Sequence, residues 1–288
     1  MTIPPPIRDP RSPRLTLPAG SCDAHCHIFG PAHRFPFAPN RSYTPPDSGF
    51  EDLVALQEKL GLSRAVLVQA SCHGTDNSAM IDALVRSGGR FAGVAMVDQS
   101  IDDEELAAMH RAGVRGIRFN FVTHLGPAPD VTGVLDLADR VAELGWHLEL
   151  HFDNEQISGH AELLNRLPTP FIIDHMGRVK ASGGMDQEPL RLLIYLLETD
   201  ERAWVKVSGA ERVGETGLPP YRDVVPLARS LIAVAPDRIL WGTDWPHPNV
   251  RHMPDDGDLV DLLEEFAPEE ETRDRILVDN PRRLYEFA

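Results

Sequence analysis

The chain has 288 residues, 42% of them apolar and 25% charged, which suits one large globular domain and excludes collagen, coiled coil and extended disorder. Lys and Arg number 28 against 44 Asp and Glu, a formal charge of −16, so the long-range field repels nucleic acid and anionic lipid, and neither is expected as a partner. No apolar run reaches the ~18 residues of a membrane span. The first twenty residues lack the apolar core of a signal peptide, and the three cysteines, Cys22, Cys26 and Cys72, form no CxxC pair, so a cytoplasmic protein with reduced thiols is expected.

Residues 1–18 are rich in Pro and Arg without apolar periodicity, which predicts a tail or a strap over the fold that carries no chemistry. The stretch 19–288 then alternates short apolar runs with amphipathic segments. The runs, in chain order, are SCDAHCHI, RAVLVQAS, FAGVAMVD, VRGIRFNF, HLELHF, FIIDH, WVKVSG and RILWGTD, eight predicted strands. Between them GFEDLVALQEKLG, DDEELAAMHRAG and DVTGVLDLADRVAELG carry apolar residues three and four apart with a glycine near the end, as amphipathic helices do. Strand followed by helix eight times predicts a single-domain (β/α)8 barrel of the TIM type. A doubly wound open sheet would produce similar local patterns. The segment from Phe29 to Phe50 holds five prolines and cannot be helical; its aromatics Phe35, Phe37 and Tyr43 predict a packed lid after the first strand.

Side chains two apart on a strand share a face, so each strand end can be read for what it presents. One face collects His25 and His27, Gln69 and Ser71, Arg118 and Asn120, Glu149 and His151, Lys206 and Ser208, with His175 and Asp244 closing their own strands. These are C-terminal strand ends, where barrels of this type place their chemistry. Seven of the twelve histidines, His25, His27, His73, His124, His151, His175 and His247, fall at or just past such an end. In a closed barrel the first and last strands are neighbours, which sets Asp244 beside the His25–His27 pair. Cys26 lies between those histidines and points by alternation to the opposite face, as a buried filler. Glu149 and Lys206 both face inward, and either a mutual ion pair or proton transfer would account for them. Arg118 reads as an unpaired guanidinium awaiting an anion.

The motifs DAHCHIFGP, VQASCHGTDN, GIRFNF, IDHMGR, WGTDWPHPN and NPRRLY, spread from Cys22 to Tyr285, resemble those of the amidohydrolase superfamily, in its branch of 2-pyrone-4,6-dicarboxylate hydrolases and related lactonases. The resemblance implies a (β/α)8 barrel, opening of a cyclic ester in aromatic or sugar-acid catabolism, and a catalytic aspartate at Asp244. It further implies that His25, His27, His175, Ser71, Tyr43, Arg118 and Arg212 face the substrate. The chain departs from that pattern twice. An arginine expected after GIRFN is His124, which cannot reproduce a bidentate carboxylate clamp, and a tyrosine expected at the end of the fifth strand is His151. A two-metal centre is not expected, because the fourth strand ends Arg118-Phe119-Asn120-Phe121 without the bridging lysine.

The reading that follows is a hydrolase acting on a small anionic lactone, with Asp244 as general base towards water. The carbonyl is polarised either by His25, His27 and His175 or by one Zn²⁺ or Mn²⁺ on His25, His27 and Asp244. Arg118 and Arg212 hold carboxylates, and His124 and His151 line the substrate site. A metal-dependent decarboxylase of the same superfamily and a catalytically silent binding barrel are the competing readings.

Overall fold

A computed structural model describes residues 1–287. Eight parallel strands run β1 (Cys22–Cys26), β2 (Arg64–Val68), β3 (Phe91–Ala95), β4 (Val114–Asn120), β5 (His147–His151), β6 (Phe171–Ile173), β7 (Ala203–Lys206) and β8 (Ile239–Leu240), each bonded to the next in chain order. The barrel covers both faces of runs such as AVLV, and its strand order β1 to β8 in sequence distinguishes it from a doubly wound sheet. Val66 and Val68 meet Ile172 and Leu240 inside, while Ala65 and Leu67 join the outer core under the helices. The outer ring includes α1 (Phe50–Leu60), α2 (Ser78–Arg86), α3 (Asp103–Ala112) and α4 (Val131–Ala142). Helix α1 buries Leu53, Leu56 and Leu60 at helical spacing. Helix α3 begins where Asp102 accepts from the Glu105 amide at 2.8 Å, and it stops at Gly113, whose φ of 106° suits glycine.

The barrel closes through loop backbone rather than through a full ladder, because β8 has only two residues. Across the seam Ala24 N donates to Trp241 O at 2.9 Å, Asp244 N to His25 O at 2.8 Å and His27 N to Trp245 O at 2.8 Å. The pairing of β1 with β2 shifts register between Asp23 and Cys26. That irregularity changes the parity of the strand. Ala24 belongs to the inner cluster, the His25 ring also reaches inward to Lys206, and Cys26 packs outward.

Residues 1–18 run as a strap across the barrel. Ile3 N donates to Thr44 O at 3.1 Å, and the Arg11 and Arg14 guanidiniums both reach Asp261, at 2.6 and 2.9 Å. The proline-rich loop after β1 is pinned as a lid: Phe29 and Ser48 form an antiparallel bridge, Ala38 N donates to Cys72 O at 2.8 Å, and Phe29, Phe35 and Tyr43 are buried. No helix among the described residues is long and apolar enough to cross a membrane.

Candidate active site

At the C-terminal mouth of the barrel lies a narrow cleft lined by His27, Tyr43, Ser71, Arg118, His124, His151, His175, Arg178, Arg212 and Asp244. Asp244 is its centre. The backbone there is left-handed, with φ 65°, a conformation costly for a residue with a Cβ and fixed here by the amide bond to His25 O. Oδ2 accepts from Arg212 Nε at 2.7 Å, and Arg212 also donates to Pro248 O at 2.8 Å. Oδ1 faces three imidazoles: Nε2 of His27 at 3.1 Å, of His25 at 3.6 Å and of His175 at 3.9 Å. Burial by itself would raise the carboxyl, but the Arg212 cation and the surrounding rings hold it well below the usual range, so it stands ionised.

His25 lies beneath the cleft and belongs to a buried charge cluster at mid-barrel. Register places Arg118 opposite Glu149 and Asn120 opposite His151 across β4 and β5. Arg118 donates from Nε and Nη2 to Asp174 Oδ2 at 3.1 and 2.8 Å. The guanidinium is therefore paired, contrary to the sequence reading. Its partner sits two strands away on the β6 loop, which strand alternation within β4 cannot reveal. Lys206 bonds Glu149 Oε2 and approaches His25 Nδ1 at 3.1 Å and Asp174 Oδ1 at 3.6 Å. Of the two accounts left open for Glu149 and Lys206, the structure contains the ion pair, as part of a larger set. Burial raises the Glu149 carboxyl, while at Asp174 the contacts to His25, Arg118 and Lys206 outweigh burial and keep that carboxyl low.

The loop after β6 holds four successive residues, His175 to Arg178, at φ between 50 and 62°. This left-handed turn swings His175 towards Asp244, where its Nδ1 lies 2.9 Å from the Ser208 hydroxyl and burial lowers its pKa to about 3. It also brings Arg178 to the rim, 3.1 Å from Asp153. His151 Nδ1 lies 3.1 Å from Asn120 Oδ1, and its Nε2 is buried without a partner beside the cleft. Ser71 donates to the Tyr43 hydroxyl at 3.4 Å, linking the lid to the mouth, and burial raises Tyr43. His124 sits exposed on a short turn at the edge of the cleft.

Two of the seven strand-end histidines serve the loops instead of the cleft. His73 accepts from Gly30 N at 3.2 Å and contacts Pro36 O, which fastens the lid; His247 is paired with Asp256 at 3.0 Å. Asp174 and Arg178 were missed by sequence reasoning. Both belong to IDHMGR, and Asp174 follows the inward Ile172 by two residues, which was the available signal.

Donor atoms of His25, His27 and Asp244 lie within 4.8 Å of one another, as do those of His25, Asp174 and His175, so distance alone would allow either set to hold a cation. Proton placement is the second condition. His27 Nδ1 is 2.8 Å from the Val68 carbonyl and its Nε2 is 3.1 Å from Asp244 Oδ1, and both partners are acceptors. His25 instead has the Lys206 ammonium at Nδ1, and an ammonium only donates. That leaves the proton of the neutral ring on Nε2, and with it there the set does not fit a cation.

The fold and this mouth define a barrel hydrolase of the amidohydrolase class. Residues 22–287 match the amidohydrolase family model, and the chain belongs to that family. Among its relatives, the 2-pyrone-4,6-dicarboxylate hydrolase of Comamonas testosteroni is 48% identical over 96% of this chain and 93% of its own length. The 4-sulfomuconolactone hydrolase of Hydrogenophaga intermedia is 46% identical, covering 94% of this chain and 90% of its own. A solved structure from Pseudomonas putida assigned to the 2-pyrone-4,6-dicarboxylic acid hydrolases superposes with a TM-score of 0.82 at 32% identity, over 94% of this chain and 99% of that one.

Proposed function

We propose that the chain is a lactone hydrolase that opens a small anionic lactone, of the pyrone dicarboxylate or muconolactone type, in aromatic catabolism. The observation that carries this reading is the convergence of three imidazole Nε2 atoms on one oxygen of an ionised Asp244, beside Arg212, in a cleft that also exposes Arg118 and Arg178. Asp244 takes a proton from water as the water oxygen attacks the lactone carbonyl. His175, with Ser208 bonded to Nδ1, presents Nε2–H to the developing oxyanion together with nearby guanidinium protons. The C–O bond of the ring breaks, and the proton held by Asp244 passes to the leaving oxygen.

Arg118, Arg178 and Arg212 supply the local positive potential that an anion needs in a chain of charge −16. Ser71, Tyr43, His124 and His151 complete the substrate wall. A single Zn²⁺ or Mn²⁺ on His25, His27 and Asp244 would supply Lewis-acid polarisation of the carbonyl; the Lys206 contact to His25 disfavours it, and no step here depends on it. The cytoplasm is the proposed compartment, with three buried, unpaired thiols in keeping with it.

Purified protein offered pyrone, muconolactone and sugar-acid lactones should release a ring-opened acid and no CO2. Release of CO2 would favour the decarboxylase, and inertness towards all of them the silent barrel. Asp244→Asn should lower turnover by roughly 10²-fold or more while leaving the circular dichroism spectrum unchanged. Near-normal turnover would remove Asp244 from the mechanism.

A further inference from the structure

We propose that Lys206 is a positioning residue that fixes the ring tautomer of His25: its ammonium donates to Nδ1, the ring proton stays on Nε2, and His25 faces Asp244 as a donor instead of a lone-pair ligand. Catalytic consequences of this arrangement rest on the reading of Asp244 as the base; the tautomer itself does not.

Lys206 ends β7 and is wholly buried, as are His25, Glu149 and Asp174. An ammonium carries three N–H donors and no acceptor. Three acceptors surround it: Glu149 Oε2, His25 Nδ1 at 3.1 Å and Asp174 Oδ1 at 3.6 Å. The opposite tautomer would aim Nδ1–H at Glu149 Oε1 or Asp174 Oδ1, both 3.4 Å away. It would also set two N–H groups head to head across the 3.1 Å contact and cost the ammonium one of its acceptors among wholly buried groups. Charge points the same way, since a charged His25 ring would sit 3.1 Å from the Lys206 ammonium. Burial and the adjacent ammonium both keep that ring uncharged.

The two histidines of one strand thereby differ in chemistry. His27 faces acceptors at both ring nitrogens, the Val68 carbonyl and Asp244 Oδ1, whereas Lys206 makes His25 present an N–H 3.6 Å from Asp244 Oδ1. Each triad that could hold a cation includes His25, whose Nδ1 faces Asp174 and whose Nε2 faces Asp244; Lys206 occupies the first nitrogen and keeps the proton on the second.

Two-bond ¹H–¹⁵N spectra of the full chain, with the His25 signals assigned by their absence in His25→Gln, should show the proton on Nε2. Calorimetric titration with Zn²⁺ alone should show no one-to-one complex with the wild type. In Lys206→Met the proton should move to Nδ1, a one-to-one Zn²⁺ complex should appear, and kcat should fall roughly 10- to 100-fold with KM little changed, the usual effect of losing an orienting partner. Lys206→Gln, which keeps an N–H donor, should retain the wild-type tautomer. A wild-type spectrum with the proton on Nδ1, or a one-to-one Zn²⁺ complex of the wild type that Lys206→Met does not tighten, overturns the proposal. The wild-type spectrum decides even if Lys206→Met fails to fold. It is recorded without substrate, so a protein that opens no lactone refutes the proposed function and leaves the tautomer assignment standing.

Discussion

At the scale of single residues, the mouth of the barrel works by shared partners. Arg212 holds Oδ2 of Asp244 and is also one of the three guanidiniums that line the cleft. A substrate carboxylate that draws Arg212 towards itself weakens that pair and makes Asp244 a stronger base at the moment it is needed. Removing the cation should have the same sign permanently. Arg212→Met is expected to raise the Asp244 pKa, so the acid limb of the kcat/KM profile moves to higher pH while the rate on anionic substrate falls. An acid limb that stays in place would separate Arg212 from the base. Arg118 stands differently, because Asp174 already occupies two of its N–H groups. Arg118→Met leaves a buried carboxylate without its cation, and a loss of about 3–5 kcal/mol in unfolding free energy is expected. In Arg118→Met with Asp174→Asn the loss should be clearly smaller than the sum of the single changes. Additive losses in urea titration would show that the two do not act as a pair.

At the scale of elements, the seam between β1 and the loop after β8 is where the site is assembled. The same backbone bonds that close the barrel seat Asp244 against His25. Gly242 lies in that seam, and a Cβ there would come 2.4 Å from His25 N and 2.8 Å from Asp23 Oδ1. Neither the backbone nor the buried Asp23, which also accepts from Thr243 N at 3.0 Å, can give way. Gly242→Ala should therefore cost about 1–3 kcal/mol, as overpacking does, and it should lower turnover by displacing Asp244. Thermal denaturation alongside steady-state kinetics checks both effects; a variant unchanged in both would mean that the seam is more pliable than its packing indicates.

At the scale of the whole molecule, the barrel buries histidines in the neutral form. His147, at the floor beside Tyr285, is held at about 3, as is His175, both chiefly by burial, and His25 and His151 shift in the same direction. A folded pKa below the unfolded value of about 6.5 means that the unfolded chain binds more protons as pH falls. The stability these groups contribute is complete above pH 6.5 and is lost progressively towards pH 3. His247, raised by Asp256 against the effect of burial, acts oppositely and fades as pH rises through its folded pKa. The lowered group is larger, so the melting temperature should fall steadily between pH 7 and pH 4. His147 has no hydrogen-bond partner on either ring nitrogen. His147→Leu should flatten the pH dependence by up to one proton, about 1.4 kcal/mol per pH unit, and an unchanged slope would show that His147 titrates normally.

The barrel was legible in the sequence because its cause is local and repeated. Eight apolar runs, helices with three- and four-residue spacing and terminal glycines such as Gly113 are set by backbone geometry and burial, which nearest neighbours express. The histidine-rich mouth was legible for a related reason, since strand alternation and the C-terminal ends of barrel strands place side chains without knowledge of partners. What alternation could not supply was the register shift in β1, which lets Ala24 and His25 both face inward, or the left-handed turn that delivers His175 and Arg178. Pairing was beyond it as well. Asp174 neutralises Arg118 from 56 residues away, and Lys206 meets His25 from 181 away. Such contacts exist only once the ring of strands has closed. Which side chains gather at the mouth follows from chain order; which partners they meet there follows from the closed barrel, because charge and hydrogen bonding in a buried cluster depend on distances that chain order does not contain.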